Sequence, residues 1–124
     1  MMNIILSQTS EDPIYMQIVK QIKAQILKGD LPSGQLLPSI RSLAKDLNIS
    51  VITTKRAYDE LEQAGYIVTV SGKGTYVADL GQEMLRETRL KMVEDKMAEA
   101  VSAAKSLGLT LDELHEMLKL IYEG

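Results

Sequence analysis

The chain has 124 residues, 45% of them hydrophobic, with no Cys, Trp or Phe, and a formal net charge of −3. That suffices for one domain, or a small domain plus an appendage, with a core of aliphatic, Met and Tyr side chains. Zero cysteines exclude disulfides and thiolate metal sites, and no run of about 18 apolar residues exists to cross a membrane. The charge is uneven: residues 1–78 hold eight Lys/Arg against seven Asp/Glu, and residues 79–124 hold six against ten. The acidity sits in the last third, so the overall sign does not exclude a basic, nucleic-acid-binding face in the rest. "MMNIILSQ" (1–8) is too short for a signal peptide and lacks a basic start, and a cytoplasmic protein is expected.

The first predicted helix lies in "EDPIYMQIVKQIKAQILKG" (11–29). Asp12 is placed as N-cap and Pro13 as N1. Apolar residues at 14, 18, 22 and 26, flanked by 15, 19 and 27, have helical spacing, and Gly29 ends the run. "DLPSGQLLPS" (30–39) reads as a turn-rich connector. A second helix follows Ser39 as cap, with Ile40, Leu43, Ala44 and Leu47 on one face and Asn48 as a left-handed exit. A third starts at the cap Ser50, places Ala57, Leu61 and Ala64 inward, and ends at Gly65. Two short helices joined by about three residues, "NIS", form a helix-turn-helix pattern.

"YIVTV" (66–70) and "TYVA" (75–78) are β-branched and aromatic, and Ser71–Gly74 between them predict a hairpin turn. "SGKG" is not a phosphate loop. G-x-x-x-x-G-K-[ST] would need Gly where Ile67 stands, and Ser or Thr where Gly74 stands. A hairpin directly after the third helix gives the winged-helix order, with Gly72 and Lys73 at a wing tip able to approach a DNA groove.

Residues 82–107 predict a helix of about 39 Å, with Leu90, Val93, Met97, Ala100, Ala104 and Leu107 in 3-4-3-4-3 steps. Gly108 ends it, and a capping box from Thr110 to Glu113 opens a last helix carrying Leu111, Leu114, Leu118 and Ile121. Two such helices cannot bury their stripes alone, which points to a second subunit. His115 stands alone among carboxylates and is an exposed helix residue rather than a metal ligand. No nucleophile–base pair, metal cluster or cofactor loop is present in the sequence, so neither an enzyme nor a bound cofactor is expected.

"LPSIRSLAKDLNIS" (37–50) and "RAYDELEQAGYIVTVSGKGTYV" (56–77) resemble the DNA-binding domain of the GntR family of bacterial transcription regulators. The shared pattern is L-P-S-x-R-x-L-A, a V/I-S turn, L-E-x-x-G-[YL]-I and G-x-G-T-[YF]-V. "PIYMQIVKQIKAQILKGDLPSGQ" (13–35) is similar to the family's first helix. The short tail is similar to that of the YtrA-like subgroup. That resemblance implies dimerisation through the tail, repression, and regulation of operons that often include ABC transporters.

The expected architecture is mainly α with one small β-hairpin: a winged helix-turn-helix domain over 1–78 and a two-helix dimerisation region over 79–124. The expected function is a homodimeric, sequence-specific repressor on a palindromic double-stranded DNA operator. The other class in play is a winged helix that docks on protein. A small-molecule effector, if there is one, would bind between the tail helices or at the dimer interface. In a helix-turn-helix the start of the second helix enters the major groove, which selects Ser50, Val51, Ile52, Thr53, Lys55 and Arg56. Ser50 and Thr53 suit phosphates or bases. Lys55 and Arg56 suit phosphates or guanine, with an Arg56–Glu60 pair as the structural alternative for Arg56. Arg41 matches the family's P-S-x-R arginine, which the resemblance implies reaches DNA; an ion pair with Asp46 or Asp59 is its alternative. Many members carry Arg directly after the turn's Ser. Here that residue is Val51, so a guanine contact from that site does not carry over, and a thymine methyl is the group that Val51 or Ile52 could touch instead.

Overall fold

The computed structural model describes residues 2–124; residue 1, part of the stretch read for a leader, lies outside them. The elements are α1 (Ile14–Lys28), α2 (Ile40–Leu47), α3 (Val51–Gln63), β1 (Ile67–Val70), β2 (Gly74–Val77), α4 (Gln82–Ser106) and α5 (Leu111–Glu123). The chain falls into two compact units, Met1–Leu85 and Arg86–Gly124, divided within the first turn of α4.

In the first unit α3 packs against α1, α2 and β1. Its core joins Ile18, Val19, Ile22 and Ile26 of α1 to Leu43 of α2, Ala57, Tyr58 and Leu61 of α3, and Ile67 and Val77 of the hairpin. Local chemistry sets the helix ends. Gly29 takes φ +89 and returns α1 into the connector. Ser39 caps α2, and Ser50 caps α3, each accepting a backbone N–H three residues on. At the start of α1 the outcome differs from expectation. Pro13 itself occupies the cap position, with no side-chain cap bond, and helical residues begin at Ile14. The Asp12 carboxylate instead pairs with Lys20 at 2.8 Å. Ala64 also departs from expectation: it is exposed, because α3 ends at Gln63 and the chain turns away through Gly65 at φ +85.

The hairpin loop is three residues rather than four, since Val70 pairs with Gly74. Lys73 N–H donates to the Val70 carbonyl at 3.0 Å, and Gly72 sits at φ +76. The connector is more ordered than a turn-rich stretch suggests. Leu36 bridges Tyr76, Leu37 N–H donates to the Thr75 carbonyl at 2.8 Å, and Val77 N–H donates to Gln35 at 2.9 Å. Residues 34–37 thus run along β2 through a single isolated bridge and a few backbone bonds, and Leu31 and Leu37 reach the core.

The N-terminal arm was not anticipated. Gln17, Gln21 and Gln25 stand four residues apart on α1, and each carboxamide grips one backbone residue of the arm. Gln17 accepts from Ser7 N–H at 2.8 Å and donates to its carbonyl at 2.9 Å. Gln21 does the same for Ile5 at 2.9 and 2.7 Å, and Gln25 for Asn3 at 3.3 and 2.6 Å. The intervening Met2, Ile4 and Leu6 pack on the core. This alternation is that of an extended chain. Replacing Gln21 by Ala removes both bonds of the middle rung. The expected outcome is a loss of roughly 1–2 kcal/mol at about 1 kcal/mol per bond. Amide hydrogen exchange at Ile5 should accelerate while the α3 amides stay protected; unchanged protection at Ile5 would contradict the ladder.

α4 runs 25 residues, its first four in the first unit; in the second unit Gly108 takes φ +77, and the Thr110–Glu113 capping box forms with both reciprocal bonds. Only Ala104 is buried, at 5% exposure. Leu114 is half-buried, and Ala100 is exposed. Leu90, Val93, Met97, Leu107, Leu118 and Ile121 are all exposed.

Candidate nucleic-acid interface

The candidate interface is built on α2, its turn and α3. Asn48 closes α2 in the left-handed region at φ 56, ψ 50, a conformation its short polar side chain tolerates. Ile49 N–H then returns to the Ala44 carbonyl at 3.0 Å. The two helices are tied a second time, because the buried Tyr58 hydroxyl of α3 donates to the Pro38 carbonyl at 2.7 Å, just ahead of α2. Burial pushes that phenol well above its ordinary range, so it stays a donor.

At the start of α3, Ser50 Oγ accepts Thr53 N–H at 3.0 Å and donates to Thr53 Oγ1 at 2.8 Å. Thr54 is fully buried and donates to the Ser50 carbonyl at 3.1 Å. The polar side chains of the first turn are therefore largely engaged with one another. Val51 and Ile52 are not: they are 43% and 82% exposed. One turn further, Lys55 pairs with Asp59 at 2.7 Å, with both side chains more than half exposed. Such a pair is worth under about 1 kcal/mol and yields readily to a phosphate.

Arg56 does not pair with Glu60. Its guanidinium lies 3.8 Å from the centre of the Tyr15 ring, and Nη2 donates to the Tyr15 hydroxyl at 3.1 Å. The stack links α3 to α1 and fixes the guanidinium in one orientation on an exposed face. No periodicity reveals this partnership, which joins residues 41 apart.

Arg41, the second residue of α2, makes no ion pair with Asp46 or Asp59 among the described residues, and Asp59 is taken by Lys55. A cation in a first helical turn opposes the helix dipole, whereas an anion placed there is favoured by both the turn and the guanidinium. The first turns of α1, α2 and α3 contain no acidic residue, while those of α4 and α5 contain Glu83 and Asp112 with Glu113. Gly72 and Lys73 are exposed at the hairpin tip. The wing is held to α3 by Thr69, which donates to Glu62 at 2.7 Å. Gly74, at φ +129, lies where a Cβ would come within 3.0 Å of Leu36 Cδ1. His115 is exposed, as read from the sequence.

The family profile described as "Bacterial regulatory proteins, gntR family" matches residues 14–77, from the start of α1 to the end of β2. The chain belongs to the GntR family. It is 38% identical over 112 residues to the HTH-type transcriptional repressor YtrA of Bacillus subtilis, covering 90% of this chain and 86% of that protein. The fold is similar to a GntR family transcriptional regulator from Listeria monocytogenes, at TM-score 0.79, 30% identity and coverage of 89% and 96%. It is also similar to the DNA-binding domain of AraR in complex with operator ORE1, at TM-score 0.52 and 28% identity over 61% of this chain and 93% of that one. As a GntR protein of the YtrA-like kind, the chain is a DNA-binding transcription regulator with a winged helix-turn-helix, and not an enzyme. Among the described residues no helix is long and apolar enough to cross a membrane.

Proposed function

We propose that the protein is a homodimeric repressor that binds a palindromic operator, its two α3 helices lying in successive major grooves. The observation that carries the dimer is the tail: a 39-residue unit with a single buried residue exposes an aliphatic stripe from Leu90 to Ile121. A second copy presents the same stripe, which suits a self-complementary two-fold interface. Two-fold symmetry then calls for half-sites about one helical turn, roughly 34 Å, or a multiple apart. Arg41 and Lys73 serve the phosphates, and Lys55 joins them by exchanging Asp59 for DNA. Repression is steric, the bound dimer blocking polymerase. The YtrA relative's name supports the repressor reading, and the AraR complex supports an operator as partner. Regulation of a transporter operon rests on the subgroup resemblance alone.

The test is titration into labelled duplex from upstream of the protein's own gene, against scrambled competitor, at several salt concentrations. Specific binding should survive competitor and fall steeply with salt. Arg41→Ala should weaken it by about 1–3 kcal/mol, or roughly 5- to 150-fold, and flatten the salt slope. Equal affinity for operator and scrambled DNA would overturn the operator reading. An unchanged Arg41→Ala affinity would remove that residue from the interface.

A further inference from the structure

We infer that α3 reads its operator chiefly through thymine methyl groups, with Ile52 and Val51 as the specificity-determining residues; the inference rests on the operator reading above. The argument is one of what remains available at the groove-facing end of the helix. Ser50 and Thr53 hydrogen-bond each other, and Thr54 is buried and bonded to the Ser50 carbonyl. Lys55 and Arg56 lie one turn along, Lys55 going to a phosphate once it releases Asp59 and Arg56 stacked on Tyr15. The side chains left reaching outward from the first turn are two adjacent aliphatics, with Ile52 82% exposed.

The base edges of the major groove present donors, acceptors and one apolar group, the C5-methyl of thymine. Aliphatic side chains have no hydrogen-bond capacity with which to tell guanine from adenine. They gain only where they can displace water from another apolar group. The matching element is therefore a thymine in each half-site, opposite the first turn of α3. Both side chains lie outside the core, so they can be changed without disturbing the fold.

The experiment selects duplexes from a randomised pool with the full chain. It then replaces each thymine of the enriched half-site by deoxyuridine, which differs only in lacking the methyl group. At least one replacement per half-site should weaken wild-type binding by about fourfold, the worth of roughly one buried methyl. The same replacement should leave binding by Ile52→Ala, or by Val51→Ala, unchanged. Enrichment of a defined sequence with no such thymine, or deoxyuridine penalties identical in wild type and both variants, would overturn methyl readout while leaving the operator reading intact. A pool that yields no enriched sequence would overturn both. Thermal unfolding of the two variants should match wild type, separating a lost contact from a lost fold.

Discussion

Removal of residues 86–124 is expected to convert the protein to a monomer and to weaken operator binding by about 100-fold or more. The first unit holds the whole hydrophobic core, from Ile18 to Val77, so it keeps its fold without the tail. What it loses is the tether. In a dimer the second α3 meets its half-site at an effective concentration of order millimolar, and such linkage is worth roughly 10²–10⁴ in affinity without any new contact. Single replacements should act the same way, if less completely. Val93→Glu or Met97→Glu places a carboxylate on the exposed stripe, harmless in a lone chain but opposed by its own copy across a two-fold axis. Sedimentation velocity and operator titration on the same samples check this. A truncated chain that still sediments as a dimer and binds as tightly would sink the tail's role.

Leu61→Ala should produce the largest loss of stability. Leu61 is fully buried in the last turn of α3, the helix that α1, α2 and β1 all pack against. Emptying such a site costs about 2–5 kcal/mol through lost transfer energy and an unfilled cavity. For a unit of this size that lowers the melting temperature by roughly 10 °C or more. Ala64, three residues on, is the control. It is exposed, so Ala64→Ser should shift stability by no more than about 0.5 kcal/mol. Thermal unfolding by circular dichroism distinguishes them. Similar melting temperatures for the two variants would contradict the placement of α3.

The parts of the fold legible in the sequence were those governed by short-range chemistry. Ser39, Ser50 and the Thr110–Glu113 box cap helices wherever they occur, and Asn48 and Gly29 end them, because each acts on backbone groups within a turn. Helical spacing located the buried faces of α1 and α2, and that of α3 except at Ala64. What escaped was chemistry between distant segments. Tyr15 and Arg56 are far apart in sequence and carry no common pattern, and the pairing of residues 34–37 with β2 hides in a stretch rich in Pro and Gly. The Asp12 cap failed for a competitive reason: its carboxylate is engaged by Lys20, and Pro13 supplies the extended cap conformation. The helix-turn-helix that carries the candidate site was legible, because its two capped helices and short turn follow from spacing. Which side chains there remain free was not, since that depends on Ser50, Thr53 and Tyr15 occupying their neighbours.

The three glutamines of α1 form a vernier. Four residues of helix advance about 6.0 Å, while two residues of extended chain advance about 6.6 Å, so each rung falls about 0.6 Å further out of phase. The three rungs differ in their bond lengths. From Ser7 through Ile5 to Asn3 the backbone N–H contact lengthens from 2.8 to 2.9 to 3.3 Å. Over the same rungs the carboxamide's own donation shortens from 2.9 to 2.7 to 2.6 Å. A row of helix carboxamides can therefore imitate the edge of a sheet only over a short span. Two rulers of unequal pitch coincide for about three marks, so further glutamines along the same helix would not hold a longer arm.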